Sequence, residues 1–135
     1  MTETLCFHSE DFADDLPQPG HYPATVDVAS YGRSARGNEM LRVVYVLEGA
    51  PRGRERVTEY FVLSGGSPRG CAVARRRLLQ LFRACGLEPR PGEEISPAEL
   101  FGQRLDLRVG HEDWQGETRL RVTGYRRLDP GRAPF

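Results

Sequence analysis

Seven side chains in three separate stretches of this 135-residue chain are of the kinds that hold an extended polyanion. Tyr31, Arg33 and Arg36 fall in a polar, glycine-bearing stretch. Arg42, Arg56 and Tyr60 fall in alternating apolar and polar runs, and Trp114, the only tryptophan, lies in His111–Gly116. Guanidinium groups can follow a line of phosphates and flat rings can carry stacked bases, each stacked base contributing ~1–3 kcal/mol. Other chemistry finds less support. His8, His21 and His111 are scattered, and no Cys-His spacing suggests zinc. No Gly-x-Ser-x-Gly elbow is present. A metal-dependent nuclease would need converging carboxylates, whereas the acids here lie mainly in loops and at the N-terminus. The residues therefore point to binding, with no catalytic group and no cofactor.

The elements that must position these residues are legible as an order. Alternation predicts strands over Tyr22–Tyr31, Met40–Glu48, Arg54–Leu63, Gly102–Val109 and Glu117–Arg127. In the first, Tyr22, Ala24, Val26 and Val28 share a face. In the second, Leu41, Val43, Tyr45 and Leu47 face inward, with Met40, Arg42, Val44 and Val46 opposite. The third sends Val57, Phe61 and Leu63 inward and Arg56, Thr58, Tyr60 and Val62 outward, and a bulge would resolve the awkward inward register of Glu59. The fifth sets Leu120 and Val122 against Arg119, Arg121, Thr123 and Tyr125. Between the third and fourth runs, Ser67-Pro68 reads as an N-cap and first helical residue, and Gly86 as the stop. Cys71, Ala74, Leu78, Leu81, Phe82 and Cys85 recur at helical spacing, and Arg75-Arg76-Arg77 reads mainly as a solvated charge run. Ser96–Phe101 predicts one short helical turn.

A β-β-β-α-β-β order describes an all-β fold with one helix, a five-stranded OB barrel. Such barrels hold ligands over strands two and three, between the loop after strand one and the loop joining strands four and five. Those places contain Tyr31, Arg33 and Arg36, then Arg42, Arg56 and Tyr60, then Trp114. Trp114 can stack on a ligand or cover one barrel end, and Glu112 and Asp113 beside it would repel phosphate. Arg104, Arg108, Arg119 and Arg121 form an outer ladder with Asp106 among them, read as a solvated face or as a second strand-binding track.

Length and composition fit one domain, with an acidic leader over residues 1–18, the barrel over 19–128 and a tail over 129–135. No run of apolar residues is long enough for a membrane span, and no secretory signal is present. Cys6, Cys71 and Cys85 form no CxxC. Cys71 and Cys85 on one helix would stand about 21 Å apart, which suits a reducing cytoplasm. All 19 basic residues are arginine, and residues 17–135 carry five more arginines than acids. The body is thus mildly basic, which permits a nucleic-acid partner.

Several co-linear segments resemble a phage- and prophage-encoded family of OB proteins related to single-stranded DNA-binding proteins, long catalogued as a domain of unknown function. They are Leu16-Pro17-x-Pro19-Gly20-x-Tyr22, Arg36-Gly37-Asn38-Glu39-Met40-Leu41, Gly49-Ala50-Pro51-Arg52-Gly53-Arg54, Arg83-Ala84-Cys85-Gly86 and Glu99-Leu100-Phe101-Gly102. The family mixes lysine with arginine, whereas this chain has arginine alone. The resemblance implies largely sequence-independent single-stranded DNA binding in phage replication or recombination, with recombination or replication proteins as further partners. Self-association stays open. The rival expectation is an OB protein-interaction or assembly module without nucleic acid. Two further expectations concern the ends. The acidic leader (Glu3, Glu10, Asp11, Asp14, Asp15), with Phe7 and Phe12 to dock it, could mimic a DNA strand. The terminal Pro134-Phe135 looks like the partner-recruiting end of bacterial single-strand binders but lacks acids upstream.

Overall fold

A computed structural model describes residues 3–6, 16–50 and 53–128. The expectations placed on Phe7, Phe12 and the acids between them and Leu16, and on Pro134-Phe135, lie outside the described residues. The strands are β1 (Gly20–Arg33), β2 (Glu39–Ala50), β3 (Gly53–Val62), β4 (Arg104–Trp114) and β5 (Glu117–Arg126). One α-helix, α1 (Pro68–Ala84), and a 3₁₀ turn (Pro97–Leu100) join β3 to β4. The protein is mostly β, with a single sheet in the order β3-β2-β1-β4-β5 and antiparallel pairing at every step. Four antiparallel steps leave the two edge strands, β3 and β5, running in the same direction. Among the described residues no ladder joins them, so hydrogen bonds there do not close the sheet into the expected barrel. The sheet nevertheless bends until the Tyr125 hydroxyl on β5 donates to Glu59 Oε2 on β3 at 2.6 Å.

The core lies inside this bend. Ala24, Val26, Leu41, Val43, Tyr45, Leu47, Leu105 and Leu107 are fully buried on the strands, and Leu81 of α1 and Leu100 of the 3₁₀ turn join them. The helix begins and ends as its sequence predicts. Ser67 Oγ accepts the Gly70 amide at 3.0 Å, Pro68 takes the first turn, and Gly86 ends it at φ 84°. No disulfide joins Cys71 and Cys85, and burial pushes the Cys85 thiol up to about 11, which leaves it inert at neutral pH.

Two bulges change the faces that simple alternation predicts. In β1 the register shifts between Val26 and Val28, so Asp27 is an extra residue. Val28 therefore leaves the core face it was expected to share with Val26 and pairs with the outward Val44, while Ala29 turns in opposite Val43. A second shift, opposite Arg108 and Val109, makes Thr123 the extra residue of β5. It rotates Tyr125 from the expected outer set to the core side, opposite Leu107. The bulge expected at Glu59 does not occur. Glu59 pairs directly with Val43 and points inward, as its register demands.

Candidate nucleic-acid interface

The outer face of β1, β2 and β3 is ruled by cross-strand rows. Register sets Val28, Val44 and Thr58 in one row, Ser30, Arg42 and Tyr60 in the next, and Gly32, Met40 and Val62 beyond. Val44 and Val46 are only 4% and 7% exposed although they face away from the core. These two valines give the face an apolar floor. On that floor Arg42 and Tyr60 stand directly opposite each other, and both are exposed. Tyr60 keeps 58% of its surface and Val62 keeps 42%. Arg42 and Tyr60 have no hydrogen-bond or ion-pair partner among the described residues. Arg56 belongs to the same face, with its guanidinium 2.7 Å from the carboxylate of the bulged Asp27. Both groups are well exposed, and such a pair is worth about 0–1 kcal/mol, little enough for another anion to displace it.

Tyr31 and Arg33 do not join this face. β1 extends through both, so they are strand residues rather than members of an open loop. Tyr31 lies opposite Leu41, whose side chain is in the core, which sets the ring on the far side of the sheet from Arg42 and Tyr60. Its hydroxyl donates to Glu39 Oε2 at 2.7 Å, and that hydrogen bond, with some desolvation, raises its pKa. Arg33 donates to the Gly37 carbonyl at 2.9 Å and so closes its own turn. Arg36 remains exposed in the short connection of residues 34–38.

Trp114 is likewise a strand residue. β4 runs through it into the two-residue turn Gln115-Gly116, both at positive φ (51° and 79°), the pattern of a type I′ hairpin. The indole is 49% exposed. One of its faces is taken by Arg119, whose guanidinium carbon stands 4.5 Å from the ring centroid. Glu112 holds that guanidinium from the side, 2.7 Å from Nε. The remaining ring face is the one available for stacking.

A groove of about 660 Å³ runs between the edges of β3 and β5. Residues 55–60 line one wall and residues 118–122 the other, with Leu16, Arg77 and Glu112 completing it. Arg56, Arg77, Arg119 and Arg121 therefore share it with Glu55, Glu59 and Glu112, a nearly balanced lining. The outer ladder is also mostly paired. Arg104 contacts Glu48, and Arg119 and Arg121 both reach Glu112.

Sequence reasoning missed the polar cluster at the closed end of this groove. Glu59 accepts from the Tyr45 hydroxyl (2.9 Å), the Tyr125 hydroxyl (2.6 Å) and Arg77 (2.6 Å). Arg77 also donates to the Val122 carbonyl at 3.1 Å. Burial raises the Glu59 pKa more than Tyr125, Arg77 and Tyr45 together lower it. Tyr45 and Tyr125 are also raised, by burial first and by Glu59 next. The signal was the inward register of Glu59. The run Arg75-Arg76-Arg77 is correspondingly divided: Arg76 is exposed, Arg75 donates to the Leu63 carbonyl, and Arg77 enters the cluster.

Among the described residues no three His, Cys, Asp or Glu side chains gather as a metal site requires. No helix among them is long and apolar enough to cross a membrane. Neither comparison with protein-family models nor comparison with curated proteins finds a match for the chain.

Proposed function

We propose that the chain is an OB-type domain that binds single-stranded DNA without strong sequence preference. The order β3-β2-β1-β4-β5, with a helix between β3 and β4 and the two edges approaching, supports the fold reading. One observation carries the functional reading: Arg42 and Tyr60 face each other, exposed and uncommitted, on an apolar-floored sheet face. A base lies on the Tyr60 ring while Arg42 meets the adjoining phosphate. Arg36 and Arg56 extend the cationic path, and the open face of Trp114 offers a second stacking surface. Tyr31 and Arg33, engaged with Glu39 and Gly37, contribute shape to the loop. The setting in phage replication or recombination rests on the family resemblance, and the cytoplasmic location on the unpaired spacing of the cysteines.

The test is titration of the full chain with oligo-dT, read by Trp114 fluorescence over a salt series. Each phosphate contact adds about 0.7 to the slope of log affinity against log salt, so Arg36, Arg42 and Arg56 together give a slope of about −2. Tyr60→Ala should weaken binding by ~1–3 kcal/mol. Salt-insensitive silence with every oligonucleotide would reject the proposal and leave the protein-interaction module standing.

A further inference from the structure

The edges of β3 and β5 present an unusual pairing problem. They run in the same direction, because four antiparallel steps separate them. Direct closure would require a parallel ladder, which is slightly less stable per residue than the antiparallel ladders elsewhere in the sheet. Instead the seam is held at one end by side chains, through Glu59, Tyr125 and Arg77. Among the described residues no hydrogen bond crosses from Glu55–Thr58 to Glu117–Arg121. Each edge strand therefore turns the backbone donors and acceptors of alternate residues toward the groove. A segment entering between them, opposite in direction to both, would make antiparallel pairs on each side.

The side chains around the open end specify what that segment carries. On the outer rim Arg119 and Arg121 are two residues apart on one face of β5, the spacing at which alternate residues of an added strand project. Both guanidinium groups reach toward a single carboxylate, Glu112, at 2.7 and 4.0 Å, so one positive charge remains uncompensated. Their side chains are 50% and 59% exposed. On the core side Val57, Leu120 and Leu16 line the groove and favour apolar groups. Glu55, on that same core-facing register, repels acids there and so fixes which face of the ligand is charged.

We propose that the β3–β5 groove is a second binding site, which takes an extended peptide of alternating acidic and apolar residues as an added antiparallel strand. Its carboxylates meet Arg119 and Arg121, its apolar side chains meet Leu16 and Leu120, and its backbone completes both edges. A peptide fits better than a nucleic acid here, because only a polypeptide backbone pairs with both edges.

The experiment is amide hydrogen exchange on the full chain, without DNA, with a short peptide alternating Asp and Val and with its Lys and Val counterpart. The acidic peptide should slow exchange at residues 55–58 and 118–122 by on the order of tenfold. Arg121→Glu, which leaves Arg119 on Trp114 and Glu112, should reduce that protection several-fold while circular dichroism shows the chain still folded. Equal protection by the basic peptide, protection only on the outer face of β2, or none at millimolar peptide would each overturn the proposal. Protection of the same amides by oligo-dT would assign the rim to phosphate and overturn it too. The site is read by backbone protection and the DNA face by Trp114 fluorescence with the Tyr60 variant, so either can fail alone.

Discussion

Replacing Glu59 tests the physics that holds the seam. The Glu59 side chain is 9% exposed and satisfies three donors on three other elements, Tyr45 of β2, Tyr125 of β5 and Arg77 of α1. Glu59→Ala leaves the fully buried Tyr45 hydroxyl without its acceptor, at a cost of about 1–3 kcal/mol. It also strips the counter-charge from Arg77. Removing one partner of a buried ion pair costs about 3–5 kcal/mol, but the Arg77 side chain is 35% exposed and recovers part of its hydration. A total loss of about 3–5 kcal/mol follows. For a chain of this size that lowers the melting temperature by roughly 10–18 °C. Denaturant unfolding of wild type and variant, followed by circular dichroism, measures it. A loss below about 1 kcal/mol would refute the claim that this cluster, and not apolar packing alone, closes the seam.

The pH dependence supplies an independent sign. Burial raises the Glu59 pKa in the folded protein above its unfolded value. The folded state then binds the proton more tightly, so this group's contribution is fully present below the unfolded pKa. It declines as pH rises through the folded value. Between these two values, wild type should gain stability on acidification relative to Glu59→Gln, which has no titrating group there. Measuring the difference between the two proteins cancels the other carboxylates. A wild type that loses ground to Glu59→Gln as pH falls would show that Arg77 and the two tyrosines outweigh burial.

Two further outcomes follow from backbone conformation. Gln115 holds a left-handed conformation that Asn tolerates far better, so Gln115→Asn should stabilise the β4–β5 hairpin by about 0.5–1 kcal/mol in urea unfolding, with Trp114 emission unchanged. Gly65 stands at φ 80°, and a Cβ there would lie 2.2 Å from Asn38 Oδ1. Gly65→Ala should therefore cost about 2 kcal/mol and lower the melt by several degrees, and a neutral result would show that this loop yields easily.

The strand order, the helix with its caps and most of the core were legible because each depends on local periodicity and on capping residues. Faces beyond a bulge were not. Asp27 and Thr123 carry no composition signal that an extra residue sits there, yet each reverses every side chain that follows, Val28 in one case and Tyr125 in the other. Within the site, Arg42 and Tyr60 were legible because β2 and β3 pair across them without interruption. Tyr31 was placed where the first strand gives way to its loop, and Trp114 within a hairpin loop, because glycines and polar residues surround them. In both places, however, the ladder runs on, through Arg33 and Trp114, until a short turn ends it.

The same reasoning explains why one misplaced acid proved the most informative residue. A carboxylate on a core-facing register is costly unless donors surround it, and a bulge is the local remedy. The fold uses a distant remedy instead. It brings Tyr125 inward through the bulge at Thr123 and leans Arg77 across from α1, so the two edges that lack a common ladder meet through side chains. Arg77 also occupies the Val122 carbonyl, a backbone acceptor that a parallel ladder would otherwise need to satisfy. A side-chain closure of this kind holds one end of the seam and leaves the other end unpaired. At that other end, among the described residues, no hydrogen bond joins Glu55–Thr58 to Glu117–Arg121, and the groove lined by Arg119 and Arg121 lies there.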